Sequence, residues 1–316
     1  MSNRAAALEL ISVRRRNPWL LQIILQLPLA FCLFSGSATA DVRRFSQSSI
    51  LIEGPIIRGD YDQVVALSAA MIAENDALPE TRKTQMFSLS LRLNSPGGDV
   101  QEAFKISNFV REMWIQTELS DPLIVTRMNK DGELSETEQA RKDETLEVGG
   151  DGPIVCYSAC SLIFLAGISR SYKASELGRS VELGFHRPYI NPEVNRHLSP
   201  DESKSVYAVL EKDFKEAMRR YGAPESLIAK TFNASSSDIE VLSQQQFQAL
   251  FPTEEPWFGE YINAKCGSIK TAGDFSTKEE MQAYVIPLLK RTICMRLHIR
   301  DHQRSQIKQY HSLGID

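Results

Sequence analysis

Past residue 40, the spacing of apolar positions switches between two residues and about 3.6, and the switches mark out strands and helices. Ser49–Glu53 (SILIE) reads as a short strand closed by Gly54-Pro55. Tyr61–Ile72 sets apolar residues at helical spacing and runs out in the polar Glu74-Asn75-Asp76. Phe87–Leu93 (FSLSLRL) alternates apolar with polar, as a strand does. Asn94-Ser95-Pro96-Gly97-Gly98 is a loop by every residue it contains. Asp99 then caps a helix whose apolar stripe is Ala103, Ile106, Phe109, Val110 and Trp114. Leu123–Thr126, Pro153–Cys156 and Val181–His186 read as further strands. Ser161–Gly167 opens a buried helix, and Asp201–Tyr221 is a long charged one with Val206, Val209, Leu210, Phe214 and Met218 on one face. Strands separated by helices predict an α/β fold, a parallel sheet with flanking helices, here continued by a helical C-terminal extension.

Residues 1–40 read as an address. Arg14, Arg15 and Arg16 form a basic start, and Trp19 to Phe34 is apolar apart from Gln22, Gln26 and Pro28. Ser35 to Ala40 supplies small residues, with Ala38 and Ala40 in the A-x-A cleavage arrangement. The run is short for a spanning helix and is broken by Pro28, which favours a cleaved signal over an uncleaved anchor. The expected product begins near Asp41 and is periplasmic or secreted.

Composition is that of a folded chain: 316 residues, 42% hydrophobic and 24% charged, with 17 Gly and 14 Pro. The formal charge of -4 becomes -7 once residues 1–40 leave, since four Arg and one Glu go with them. No basic excess is available to neutralise phosphates, so no nucleic-acid partner is expected. Four cysteines remain: Cys156, Cys160, Cys266 and Cys294. In an oxidising compartment an even number is compatible with two disulfides, and 156–160 with 266–294 is the simplest of the three connectivities. Zinc is the rival, but there is no C-x-x-C pair and only His298 stands one turn from a cysteine; no metal is expected.

A polar insertion, 127–152, contains a stretch from Arg127 to Glu138 that matches most positions of a calcium-binding EF-hand loop. Arg127, however, stands where the first ligand Asp belongs, and a cation there opposes calcium. The same residues read as a turn at Asp131-Gly132, followed by a Ser135–Glu138 capping box.

Three segments carry chemistry. In Asn94–Gly98 the paired glycines let backbone amides face outward, where they can donate to a developing oxyanion. In Cys156-Tyr157-Ser158-Ala159-Cys160-Ser161, a serine at a strand-to-helix junction suits a nucleophile, with the amide of Ala159 as a second donor. Capping the helix is the commoner task for such a serine, and Ser161 competes for the nucleophile's role. Third, Gly184-Phe185-His186-Arg187-Pro188 offers a histidine after an apolar strand, placed to act as a general base.

In this order the three segments, with S-A-C-S-L-I-F-L-A-G following NSPGG and F-H-R-P following both, resemble the Clp-protease (ClpP) and crotonase superfamily, and exported Clp-like proteins most of all. The resemblance covers roughly Ser49 to Phe251 and implies a domain at 41–252; 127–152, an insertion, and 253–316, the extension with the expected Cys266–Cys294 disulfide, have no counterpart in it. It implies Ser158, nine residues before Gly167, as nucleophile, His186 as base, and the amides of Gly98 and Ala159 as oxyanion donors. The third member is least clear: aligning Leu242-Ser243 puts Ile239 on the acid's position, between Asp238 and Glu240. Asp238 is the candidate.

Two readings follow. One is an exported serine hydrolase, a peptidase acting through Ser158 and His186. The other is a non-catalytic Clp-like module that binds peptides or envelope proteins in the same cleft. An exported chain would not meet coenzyme A, so no cofactor is expected. No segment suggests recruitment of an ATPase. A peptide or protein substrate and assembly into a homo-oligomer are compatible with both readings.

Overall fold

The computed structural model describes residues 40–78, 87–119, 127–128, 134–135, 152–173, 179–190, 192–233, 235, 238–269 and 277–312. These belong to one compact unit, Ala38–Asp316. The expected signal segment, except Ala40, and the expected strand at Leu123–Thr126 lie outside the described residues.

The chain opens with β1 (Asp41–Arg44) and β2 (Ser49–Glu53), then α1 (Asp60–Ala77), β3 (Ser90–Asn94), α2 (Val100–Glu112) and β4 (Gln116–Leu119). Two short strands follow, β5 (Arg127–Met128) and β6 (Leu134–Ser135), an antiparallel pair; the expected turn at Asp131-Gly132 lies outside the described residues. There follow β7 (Ile154–Tyr157), α3 (Ala159–Ala166), β8 (Arg170–Tyr172) and β9 (Val181–Phe185). Next come α4 (Pro192–Asn195), α5 (Pro200–Arg220), α6 (Glu225–Asn233), β10 (Glu240–Leu242) and α7 (Gln244–Leu250). The extension consists of α8 (Pro256–Cys266) and α9 (Lys278–Ser312).

The sheets are mixed rather than purely parallel. A five-stranded sheet has the order β1-β2-β3-β4-β8, and a three-stranded one the order β10-β9-β7. Within them β2, β3, β4 and β8 run parallel, as do β7 and β9. The corrections to a parallel sheet are at the edges, where β1 and β10 pair antiparallel. β1 returns to β2 through a short turn, which only an antiparallel pair permits.

Burial explains the order. β2 is buried along four of its five residues, the run expected where helices cover both faces. Its Ser49 hydroxyl meets that of Ser90 at 2.7 Å, so two buried polar groups satisfy each other. α2 begins as its sequence predicts, Asp99 accepting from the Glu102 amide at 3.0 Å. Glu102, itself buried, accepts from the amides of Gly59 and Tyr61 at 2.8 and 2.9 Å and so ties the start of α1 to α2. All eight residues of α3 are buried, which is why ACSLIFLA has no polar face.

The extension is seated on this core through Trp114, just past α2. Its indole stacks on His302 at 3.7 Å and meets Phe258 and Tyr261 edge-on. The buried Gln303 accepts from the Leu89 amide and donates to the Trp114 carbonyl, at 3.3 and 3.4 Å. Glu255, at the head of α8, is buried against Arg170 and lies 3.2 Å from Arg111. Cys266 and Cys294 form a disulfide between α8 and α9, with Cα atoms 5.7 Å apart. Their sulfurs and His298 lie within 4.8 Å of one another, but with the sulfurs bonded to each other neither is a thiolate able to ligate a metal. No helix among the described residues is long and apolar enough to cross a membrane.

Candidate active site

The Asn94–Gly98 loop joins the two sheets. The Asn94 side chain accepts from the Val155 amide at 3.1 Å and donates to Glu53 at 3.0 Å. Ser95 continues the seam: its amide donates to the Val155 carbonyl, and its carbonyl accepts from Tyr157, at 2.7 and 3.0 Å. Its buried hydroxyl accepts from the Gly97 amide at 3.1 Å and shapes the turn. A side chain at Gly97 (φ 100°) would lie 2.8 Å from both the Ser158 Cβ and the Tyr157 carbonyl. One at Gly98 (φ 145°) would lie 2.1 Å from the Ile56 carbonyl oxygen. Both positions require glycine, and the loop is thereby pressed against Ser158.

Ser158 occupies the junction of β7 and α3 with φ 56° and ψ -120°, a backbone state that L-residues rarely adopt. Only Ser158 and Trp114 have positive φ among the described non-glycine residues. Such strain persists where the surroundings over-determine it, and a strand-to-helix turn of this kind presents a nucleophile. The constraints here are the Ser158 amide donating to the Gly184 carbonyl at 3.0 Å, Gly97 on one side, and a disulfide around the turn. Cys156 and Cys160, both fully buried, are joined with Cα atoms 5.2 Å apart, so they bracket the serine. Ser161 is buried and donates its hydroxyl to the Ser158 carbonyl at 2.5 Å, an interaction internal to the turn of α3.

β7 and β9 pair in parallel with Tyr157 opposite Gly184, so His186, one residue past β9, stands alongside the serine's turn. Its Nδ1 lies 2.8 Å from the Arg187 carbonyl oxygen. A carbonyl only accepts, so in the neutral ring Nδ1 carries the proton and Nε2 the lone pair, the tautomer a base needs. Tyr189 stacks beside the ring at 6.1 Å while more than half exposed. Ser158 and His186 are 6% and 7% exposed. Among the described residues, the Ser158 hydroxyl makes no hydrogen bond to His186.

Asp238 makes no hydrogen bond or ion pair with His186 among the described residues. It is exposed, two residues before β10, and its amide donates to the Ser235 carbonyl. β10 aligns Glu240 with Phe185, and Ile239 packs its methyl toward Gly184. The amides of Gly98 and Ala159 donate to none of the described residues. The first follows from the crossing at Ile56, which engages the Gly97 carbonyl and the Asp99 amide on either side of Gly98. The second belongs to the first turn of α3, where helical amides lack partners and the dipole is positive.

The sequence singles out Asn94–Gly98 as a donor loop but not the seam that Asn94 and Ser95 make, nor the Arg187 carbonyl. An Asn-Ser pair directly after a strand signals a loop, and its partner strand becomes visible only in three dimensions. Nearby, Tyr157 donates its hydroxyl to Glu182, and its pKa is raised, first by burial and then by that carboxylate.

No protein-family model matches the chain, nor does any curated protein. Among solved structures, ClpP1 from Listeria monocytogenes is similar at 12% identity and a TM-score of 0.39, over 65% of this chain and 87% of that one. A single-site mutant of the same protein is similar at 13% identity and a TM-score of 0.35, with the same coverage. At such scores the functional reading rests on the residues themselves.

The bracketing disulfide is expected to affect both stability and the reactivity of Ser158. Replacing Cys156 and Cys160 by alanine is expected to destabilise the fold by about 2 kcal/mol, the loop-closure value for so short a ring. It is also expected to slow covalent modification of Ser158 by a serine-directed reagent several-fold. An unchanged modification rate would show that packing alone holds the turn.

Proposed function

We propose that the chain is an exported Clp-like serine hydrolase that cleaves peptides. The observation that carries this reading is Ser158 at positive φ in the turn from β7 to α3, with the Gly98 and Ala159 amides unengaged among the described residues and the Nδ1 of His186 committed to a carbonyl. His186 Nε2 takes the proton as the Ser158 Oγ attacks the scissile carbonyl carbon. The oxyanion accepts from Gly98 and Ala159, and the positive end of α3 adds to its stabilisation. The imidazolium gives its proton to the leaving amine. Water, deprotonated by the same nitrogen, then releases the acid from the serine ester.

In this scheme the Arg187 carbonyl performs the orienting task that an acidic residue performs in a triad, and the site works as a dyad. Asp238 supplies solvent-facing charge. A second reading, a peptide-binding module without turnover, is favoured by the lack of a Ser158–His186 hydrogen bond among the described residues; hydrogen bonds of this kind tighten on substrate binding. A fluorophosphonate separates the two. The expected result is one adduct per chain, mapped by mass to Ser158. Unmodified protein after prolonged exposure would leave only the binding module.

A further inference from the structure

The two halves of α9 live in different surroundings. Its carboxy-terminal half is anchored by the buried Ile299, Gln303 and Ile307, and by Arg304 paired with Asp76. Ahead of that anchor the large apolar side chains face solvent: Met281 is 46% exposed, Val285 37%, Ile286 52%, Leu289 53%, Ile293 45% and Leu297 40%. Five of these recur at every fourth residue, which makes one continuous ridge on the helix surface. Six large side chains about half exposed amount to roughly 500 Å² of apolar area, at the upper range of what a monomer carries in one patch.

We propose that this ridge is a homodimer interface, in which α9 of one molecule crosses α9 of a second copy, antiparallel, about a two-fold axis at Leu289. The pattern is self-complementary about that residue. Met281 then faces Leu297, Val285 faces Ile293, and Leu289 faces its own copy, as an isologous contact requires. Two such patches together approach the ~1,000 Å² that a specific interface needs.

Charge selects both the orientation and the partner. Residues 290–300 contain Lys290, Arg291, Arg296 and Arg300, of which Arg300 pairs with Asp301, whereas 278–288 contain Lys278, Glu279 and Glu280. An antiparallel pair sets the basic half beside the half that carries acids; a parallel pair would stack the basic halves on each other. An anionic membrane is the other surface that could cover an apolar ridge, and the net charge of -7 past residue 40 opposes it. The Cys266–Cys294 disulfide and the Arg291 bonds to Asn263 and to the Gly267 carbonyl hold the helix before a partner arrives, which lowers the entropy lost on pairing.

Light scattering on the full chain, with and without Leu289→Glu, tests this. The expected result is a two-fold drop in mass for the variant, because the axis brings two carboxylates together, with an unchanged circular dichroism spectrum because the position is half exposed. Leu289→Cys is expected to give a covalent dimer on mild oxidation, and Lys212→Cys, on the surface of α5, is not. A wild-type monomer at about 50 µM, an unchanged mass for Leu289→Glu, or no cross-link at position 289 would each overturn the proposal. So would a solution monomer that sediments with phosphatidylglycerol vesicles, which would assign the ridge to a membrane.

Discussion

Alanine at Ser158 is expected to lower kcat/KM for peptide cleavage by about 10⁴-fold or more, and His186→Ala by a similar factor. In the proposed mechanism the two act as one unit: without the base the hydroxyl is a poor nucleophile, and without the hydroxyl the base has no proton to take. The double variant should therefore be little slower than either single one, the residual rate coming from the oxyanion donors and binding. Asp238→Asn should change the rate by less than about threefold, because the carboxylate is exposed and makes no bond to the ring. Cleavage of a peptide library followed by mass spectrometry, with rates on one good substrate, checks all four variants. A large loss in Asp238→Asn would mean that the β10 approach rearranges to complete a triad; full activity in Ser158→Ala would end the nucleophile assignment.

The second large effect concerns stability. Arg170 is almost fully buried, pairs with Glu255, and donates from Nε to the Leu165 carbonyl at 3.0 Å. Arg111 shares the same carboxylate at 3.2 Å without the alignment of a hydrogen bond and lies over the Tyr221 ring. Burial lowers the pKa of Arg111 to about 10, and burial together with the charge of Arg111 lowers that of Arg170 to about 9. Both stay charged at neutral pH, so one carboxylate compensates two enclosed cations. Glu255→Ala is expected to cost about 3–5 kcal/mol, since it leaves buried charge unpaired, and to lower Tm by roughly 10 °C at the few degrees per kcal/mol usual for a chain of this size. Arg111→Met should be neutral or stabilising, because it removes the surplus cation and keeps the volume. Thermal and urea melts of both variants decide; a mild effect of Glu255→Ala would mean that water reaches the cluster.

The order of elements was readable because the fold uses strong local signals. Strand alternation in Phe87–Leu93, the Asp99 cap and the apolar run of α3 each stand out without neighbours. β1, β4 and β8 were not readable: Asp41–Arg44, Gln116–Leu119 and Arg170–Tyr172 are three or four residues long and polar. They are strands because adjacent strands offer hydrogen bonds, a tertiary cause. For the same reason the antiparallel edges escaped the expectation of a parallel sheet. At the site, glycine and serine in the right order pointed to the loop and the turn, and two of the expected disulfide partners proved to lie around the serine. What the sequence left open was the histidine's orienting group. A backbone carbonyl has no residue type by which to be recognised, whereas Asp238 does, and so attention went to the acid.

The Cys266–Cys294 bond spans twenty-seven intervening residues between α8 and α9. A peptidase that cuts once anywhere between the two cysteines yields two polypeptides that still travel as one molecule. The severed tail keeps its place through the disulfide and through Trp114 and His302. Such a clip would pass unnoticed on a non-reducing gel and appear as two bands after reduction, so a single non-reducing band is not evidence of an intact backbone in a purified sample.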